Sequence, residues 1–125
     1  MSPRKDSAIS STVAVVRCDT YYSADVETAV ARGLSLLGDL HFSPGQNVLL
    51  KPNLLQAAKP DKPVCTHPEV FCAVISSLSK QNLNLSYGDS PAVANPVQAA
   101  KVGGYADIAD AMSIPFADFK TAVSV

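Results

Sequence analysis

The 125-residue chain sets ten Lys and Arg against eleven Asp and Glu, and its charged residues, 17 % of the total, leave a net charge of -1. Its basic residues are dispersed, which argues against nucleic acid or an anionic membrane as partner. No run reaches the ~18 consecutive apolar residues of a membrane helix, and the opening MSPRKDSAISS lacks the apolar middle of a secretory signal, so the expectation is a soluble cytoplasmic protein.

At this length one core is expected, burying ~60 to 70 % of the surface exposed by the unfolded chain. Residues 1–11 read as a disordered tail, 12–119 as one α/β domain and 120–125 as a second tail. Thr12 to Val16 is a β-branched run suited to a strand covered on both faces. Ser23 is a candidate N-cap, followed by Val26, Ala29, Val30, Gly33, Leu34 and Leu37 at the spacing of one buried helical face, with Gly38 as the stop. Ser43-Pro44-Gly45 reads as a turn and Asn47 to Lys51 as the second strand.

The segment from Pro52 to Cys65 holds Pro52, Pro60 and Pro63, which stiffen it, and it exceeds the ~12 residues beyond which an unstructured connection is usually functional or disordered. Thr66 and Glu69 have the spacing of a capping box, with Pro68 tolerated in the first turn. Val70, Phe71, Val74, Ile75 and Leu78 give that helix its apolar side. Leu83 to Tyr87 alternates as a third strand, and Gly88 lets the chain leave it sharply. Asn95-Pro96-Val97-Gln98 opens another helix, Gly103-Gly104 interrupts it, and Tyr105, Ile108, Ala109 and Met112 resume helical spacing. Ile114 to Ala117 reads as a fourth strand, confined to an edge by Pro115.

Strands alternating with amphipathic helices predict a three-layer α/β fold: a mainly parallel, Rossmann-like sheet of about four strands with helices on both faces. Ligands in such folds collect at the carboxyl ends of the strands, near helix N-termini. Lys51, Asn53, His67, Asp89 and Ser90 fall along that edge and are the candidate ligand-binding residues.

Each carries a structural alternative. Lys51 suits a carboxylate or phosphate held at the next helix N-terminus, or else snorkels to solvent. The Asn53 amide suits a ligand or ties down the long loop. His67 is a candidate for proton transfer or metal ligation, but stands in the first turn of a helix whose dipole disfavours its protonated form. Asp89 and Ser90 suit a hydroxylated ligand or a cation, or form an Asx turn into Pro91. Thr66 and Glu69 are accounted for by capping alone.

No GxGxxG follows the first strand, no GxxxxGK[ST] loop exists, and Ser90 lacks the GxSxG surroundings of a hydrolase nucleophile. Cys18, Cys65 and Cys72 are an odd number without CxxC spacing, so free thiols are expected and no metal site is assigned.

Val48-Leu49-Leu50-Lys51-Pro52-Asn53-Leu54, Lys59-Pro60, Thr66-His67-Pro68-Glu69 and Gly88-Asp89-Ser90-Pro91, in this order, resemble the hallmark blocks of the family called domain of unknown function 362. With the opening VAVVRC and the closing IPFADF, the resemblance runs from about Val13 to Phe119. It implies an uncharacterised protein of the kind described as iron-sulfur cluster-binding, whose members are typically over twice this length and often carry a ferredoxin-like module with two 4Fe-4S clusters. The CxxCxxC runs of that module do not occur here. The resemblance therefore implies an N-terminal portion, with no cofactor within this chain and clusters in a full-length protein. Two functions follow as expectations: a cleft for an anionic ligand or cofactor in a redox enzyme, or a module that docks a ferredoxin-like domain or partner subunit.

Overall fold

The structure, a computed structural model, describes residues 10–91, 94–119, 121 and 124. Most of both expected tails lies outside them. In chain order the elements are α1 (Ser23–Leu36), β1 (Asn47–Leu50), α2 (Pro68–Leu78), β2 (Asn84–Tyr87), α3 (Pro96–Val102) and α4 (Tyr105–Ala111). β1 and β2 pair in parallel, with Asn47 opposite Asn84 and Leu50 opposite Tyr87. Beyond β2, Tyr87 makes a single parallel bridge to Phe116. There the Tyr87 amide donates to the Pro115 carbonyl at 3.1 Å, and the Ala117 amide donates to the Tyr87 carbonyl at 2.7 Å. The described residues thus form an α/β unit around a small parallel sheet.

The core follows from the strand alternation and the helical spacing. Leu50 and Tyr87 turn one face of the sheet onto Phe71, Ile75 and Leu78 of α2, and Ala99, Ala100, Tyr105 and Ala109 close it from α3 and α4. The Phe71 ring lies 5.3 Å from Tyr87 and 5.4 Å from Tyr105, in the tilted and edge-on arrangements that aromatic quadrupoles favour. α1 packs along α2. The sheet begins at a side-chain clasp: the Asn84 amide donates to the Gly45 carbonyl at 3.0 Å and to the Asn47 side-chain oxygen at 3.2 Å.

Asn95 caps α3 as its sequence predicts, its side chain accepting the Val97 and Gln98 amides. Gly104, at φ 86°, separates α3 from α4 in the left-handed region that glycine enters without strain. Three expectations need correction. Thr12 to Val16 joins no ladder, and Val13 and Val15 are 80 % and 89 % exposed, so this run is not a strand covered on both faces. Tyr22, not Ser23, is the N-cap of α1, and no side chain caps it; of the expected apolar face only Val26 is fully buried, and Leu37 is exposed. The cap of α2 is His67, one residue later than the Thr66 capping box requires. The physical reason is Pro68: at the first helical position its fixed φ makes the preceding residue the cap.

Candidate functional site

Lys51 directly follows β1, and Asp89 stands two residues beyond β2. Gly88 between them is buried; its amide donates to the Leu50 carbonyl at 3.0 Å, and a Cβ there would lie 2.8 Å from the Phe119 ring. Glycine thus lets the chain turn under Phe119 and deliver Asp89 beside Lys51. One Asp89 carboxylate oxygen pairs with the Lys51 ammonium. The other accepts the Leu54 amide at 2.8 Å. Burial pushes this carboxyl upward, but the Lys51 hydrogen bond, the Leu54 and Ser90 amides and the ammonium charge outweigh it and hold the pKa below the usual carboxylate value. The Asp89 side chain is 6 % exposed, whereas the Lys51 side chain is 58 % exposed. A buried anion therefore anchors a half-exposed cation.

The loop after Lys51 is held through its backbone. The Asn53 amide donates to the Thr66 hydroxyl and the Thr66 amide donates to the Asn53 carbonyl, each at 3.1 Å. The buried Tyr105 hydroxyl donates to the Thr66 carbonyl, and burial raises that phenol well above its ordinary pKa. The Asn53 side chain is exposed and, among the described residues, makes only a long 3.5 Å contact to the Val64 carbonyl.

His67 is used structurally on two sides. Its Nδ1 accepts the Glu69 amide at 3.2 Å, which fixes the tautomer that leaves that nitrogen unprotonated. Its ring stacks on Tyr21 at 3.7 Å and 10°. The Ser23 hydroxyl then donates to the Glu69 carboxylate at 2.8 Å, so the starts of α1 and α2 are joined twice. Because Pro68 has no N–H, His67 takes the Glu69 amide and its carbonyl takes those of Val70 and Phe71, the first turn of α2 offers no free donor to an anion. The exposed cation of this rim is Lys51, and the helix end adds no free backbone donor beside it.

Lys51, Asn53, His67, Asp89 and Ser90 thus share the carboxyl edge of the two strands, but in unequal roles. Lys51 and Asp89 pair, Asn53 meets Thr66 through the backbone, His67 caps a helix, and Ser90 is exposed while its amide serves Asp89. Tyr21 and Tyr105 belong to the same neighbourhood, although in the sequence Tyr105 marks only a helical position, Tyr21 carries no motif, and no local spacing ties either to Thr66 or His67. A cavity of about 210 Å³ beside Lys51, walled by Leu50, Thr66, Val70 and Val74, is smaller than the usual ~300 Å³ of a ligand pocket. A larger groove of about 400 Å³ lies between residues 14–21 and α1.

The thiols present do not fit an iron-sulfur cluster. The Cys18 thiol bonds the Thr20 carbonyl at 3.2 Å and the Cys65 thiol bonds the Gln56 carbonyl at 3.4 Å. Burial, with Glu69 and Glu27 nearby, pushes the Cys72 thiol up, away from the thiolate that iron requires. Among the described residues, no three His, Cys, Asp or Glu side chains gather as a metal site.

Residues 48–125 match the family described as Domain of unknown function (DUF362). The chain belongs to the DUF362 family. All five candidate residues fall inside the matched stretch, which opens at β1. A relative from Synechocystis sp., described as a thylakoid-associated protein, is 32 % identical over 110 residues, covering 86 % of this chain and 34 % of the relative. The DUF362 chain therefore spans about a third of the length of the curated relative it matches. No solved structure matches it. Among the described residues, no helix is long and apolar enough to cross a membrane.

Proposed function

We propose that this DUF362 chain contributes an anion-binding rim, at which Asp89 holds Lys51 ready for a small anionic ligand or cofactor. The observation behind the reading is the asymmetry of the pair: the carboxylate is buried and triply hydrogen-bonded, while the ammonium it steers keeps more than half its side chain in solvent. A lysine so held reaches an anion with little further loss of side-chain freedom. In the fuller reading the sheet extends to about four strands in a three-layer, Rossmann-like domain, and the Phe116 bridge supports its growth beyond β2. That domain is the N-terminal part of a cytoplasmic redox enzyme whose 4Fe-4S clusters lie in a ferredoxin-like module outside these residues.

Titration with inorganic phosphate and small carboxylates, followed by backbone amide shifts, tests the rim. Changes centred on Lys51, Asn53 and Ser90 that vanish in Lys51→Met are expected. Shifts scattered elsewhere, or unaffected by that substitution, overturn the reading.

Exposed apolar side chains favour a second reading, a module without catalysis that docks a ferredoxin-like domain or partner subunit. Val13, Val15, Leu49 and Leu55 are all solvent-facing. This reading predicts that Leu49→Lys abolishes capture of a purified ferredoxin-like partner while phosphate binding is unchanged.

A further inference from the structure

Residues 12–16 join no helix or ladder, and among the described residues their backbone makes no hydrogen bond. Their side chains nevertheless alternate as in a strand. Ala14 and Val16 line the groove against α1, where Val16 comes within 3.7 Å of the position a Gly33 Cβ would take, while Val13 and Val15 point to solvent. β1 meanwhile has one open edge. The Asn84 and Gly88 amides bond the Gln46 and Leu50 carbonyls, so the alternate backbone groups of Asn47, Leu49 and Lys51 face away from β2.

The helices say which edge the segment fits. Crossovers between parallel strands are right-handed in ~98 % of cases. α1 packs along α2, and α2 lies on the face of the sheet that Leu50 and Tyr87 present. A right-handed path through α1 and then α2 moves across the sheet in one direction, so the segment before α1 belongs on the side of β1 opposite β2. On the far side of β2 the bridge to Phe116 already stands.

We propose that residues 12–16 are a strap that closes on the open edge of β1, extending the sheet by one parallel strand. The groove of about 400 Å³ and the cavity of about 210 Å³ meet at Val70, and they are the space the strap fills as it seats. Tyr21, stacked on His67, ties the residues that follow the strap to the start of α2. The strap stands apart from anion binding and is tested without any ligand.

Amide hydrogen exchange on the whole chain decides the matter. The Leu49 amide, which among the described residues has no partner on the open edge, should exchange about tenfold or more slowly than an unstructured amide if the strap closes. Proline lacks the N–H a strand donates, so one of Ala14→Pro and Val15→Pro, whichever removes a donor facing β1, should return Leu49 to fast exchange and leave Ser86, inside the β1–β2 ladder, slow. Fast exchange at Leu49 in the unaltered chain overturns the proposal. So does protection that survives both prolines, or that fades on dilution and thereby belongs to a second copy.

Discussion

Asp89 and Lys51 meet across two adjacent parallel strands, the carboxylate buried and the ammonium at the surface. The two halves of this pair have different worth. Removing one partner of a fully buried pair costs ~3 to 5 kcal/mol, and an exposed one ~0 to 1. Asp89→Ala also strands the Leu54 amide, so a loss of about 3 kcal/mol is expected. Lys51→Met leaves a carboxylate still held by two amides, and about 1 kcal/mol is expected. Urea unfolding of both variants measures the difference; equal losses contradict the asymmetry.

The lowered Asp89 pKa has a pH consequence. Because the folded value lies below the unfolded one of ~3.9, the unfolded state binds more protons between the two. This contribution is present above the unfolded value and is lost as pH falls through the folded value. Stability of the unaltered chain should fall on acidification below about pH 4, and Asp89→Asn should flatten that slope. Chemical unfolding at a series of acid pH values checks it.

The loop is tied through Thr66 and not through the Asn53 side chain. Tyr105→Phe leaves the half-buried Thr66 carbonyl without its donor and should cost ~1 to 2 kcal/mol. Thr66→Val should cost about 1 kcal/mol, whereas Asn53→Ala should stay within ~0.5 kcal/mol. Thermal melts of the three variants rank them; an Asn53 effect as large as that of Tyr105 contradicts the backbone tie.

Gly103 allows Tyr105 to reach Thr66. A Cβ there would collide with the Tyr105 ring and sit 3.1 Å from the Ala99 carbonyl. Gly103→Ala should therefore cost ~1 to 3 kcal/mol by overpacking. Combined with Tyr105→Phe it should cost less than the two separate losses added together, because each disturbs the same contact.

Where structure depends on neighbours in sequence, the chain was readable. Asn95 with Pro96 opens α3, Gly103-Gly104 parts it from α4, and the apolar spacing of Phe71, Ile75 and Leu78 builds α2. At α2 the local signal is Pro68, which at the first helical position points to His67 and not Thr66 as the cap. The strand expected at Thr12 to Val16 was not readable, because a strand exists only with a partner and β-branched residues say nothing of whether one arrives. Lys51 and Asp89 were each marked by their place at a strand end. Their mutual bond, with a helix between them in sequence, depends on register and was out of reach of any local pattern.

The Asn84 clasp lies at the amino ends of the two strands and the Asp89 bond beyond their carboxyl ends. A one-residue slip of β2 along β1 would break both and turn Tyr87 out of the interior. Sliding is thereby blocked, and opening at the rim has to come by rotation of the loop about its proline-stiffened ends. Lys51 should accordingly change its angle of approach without changing its height above the sheet.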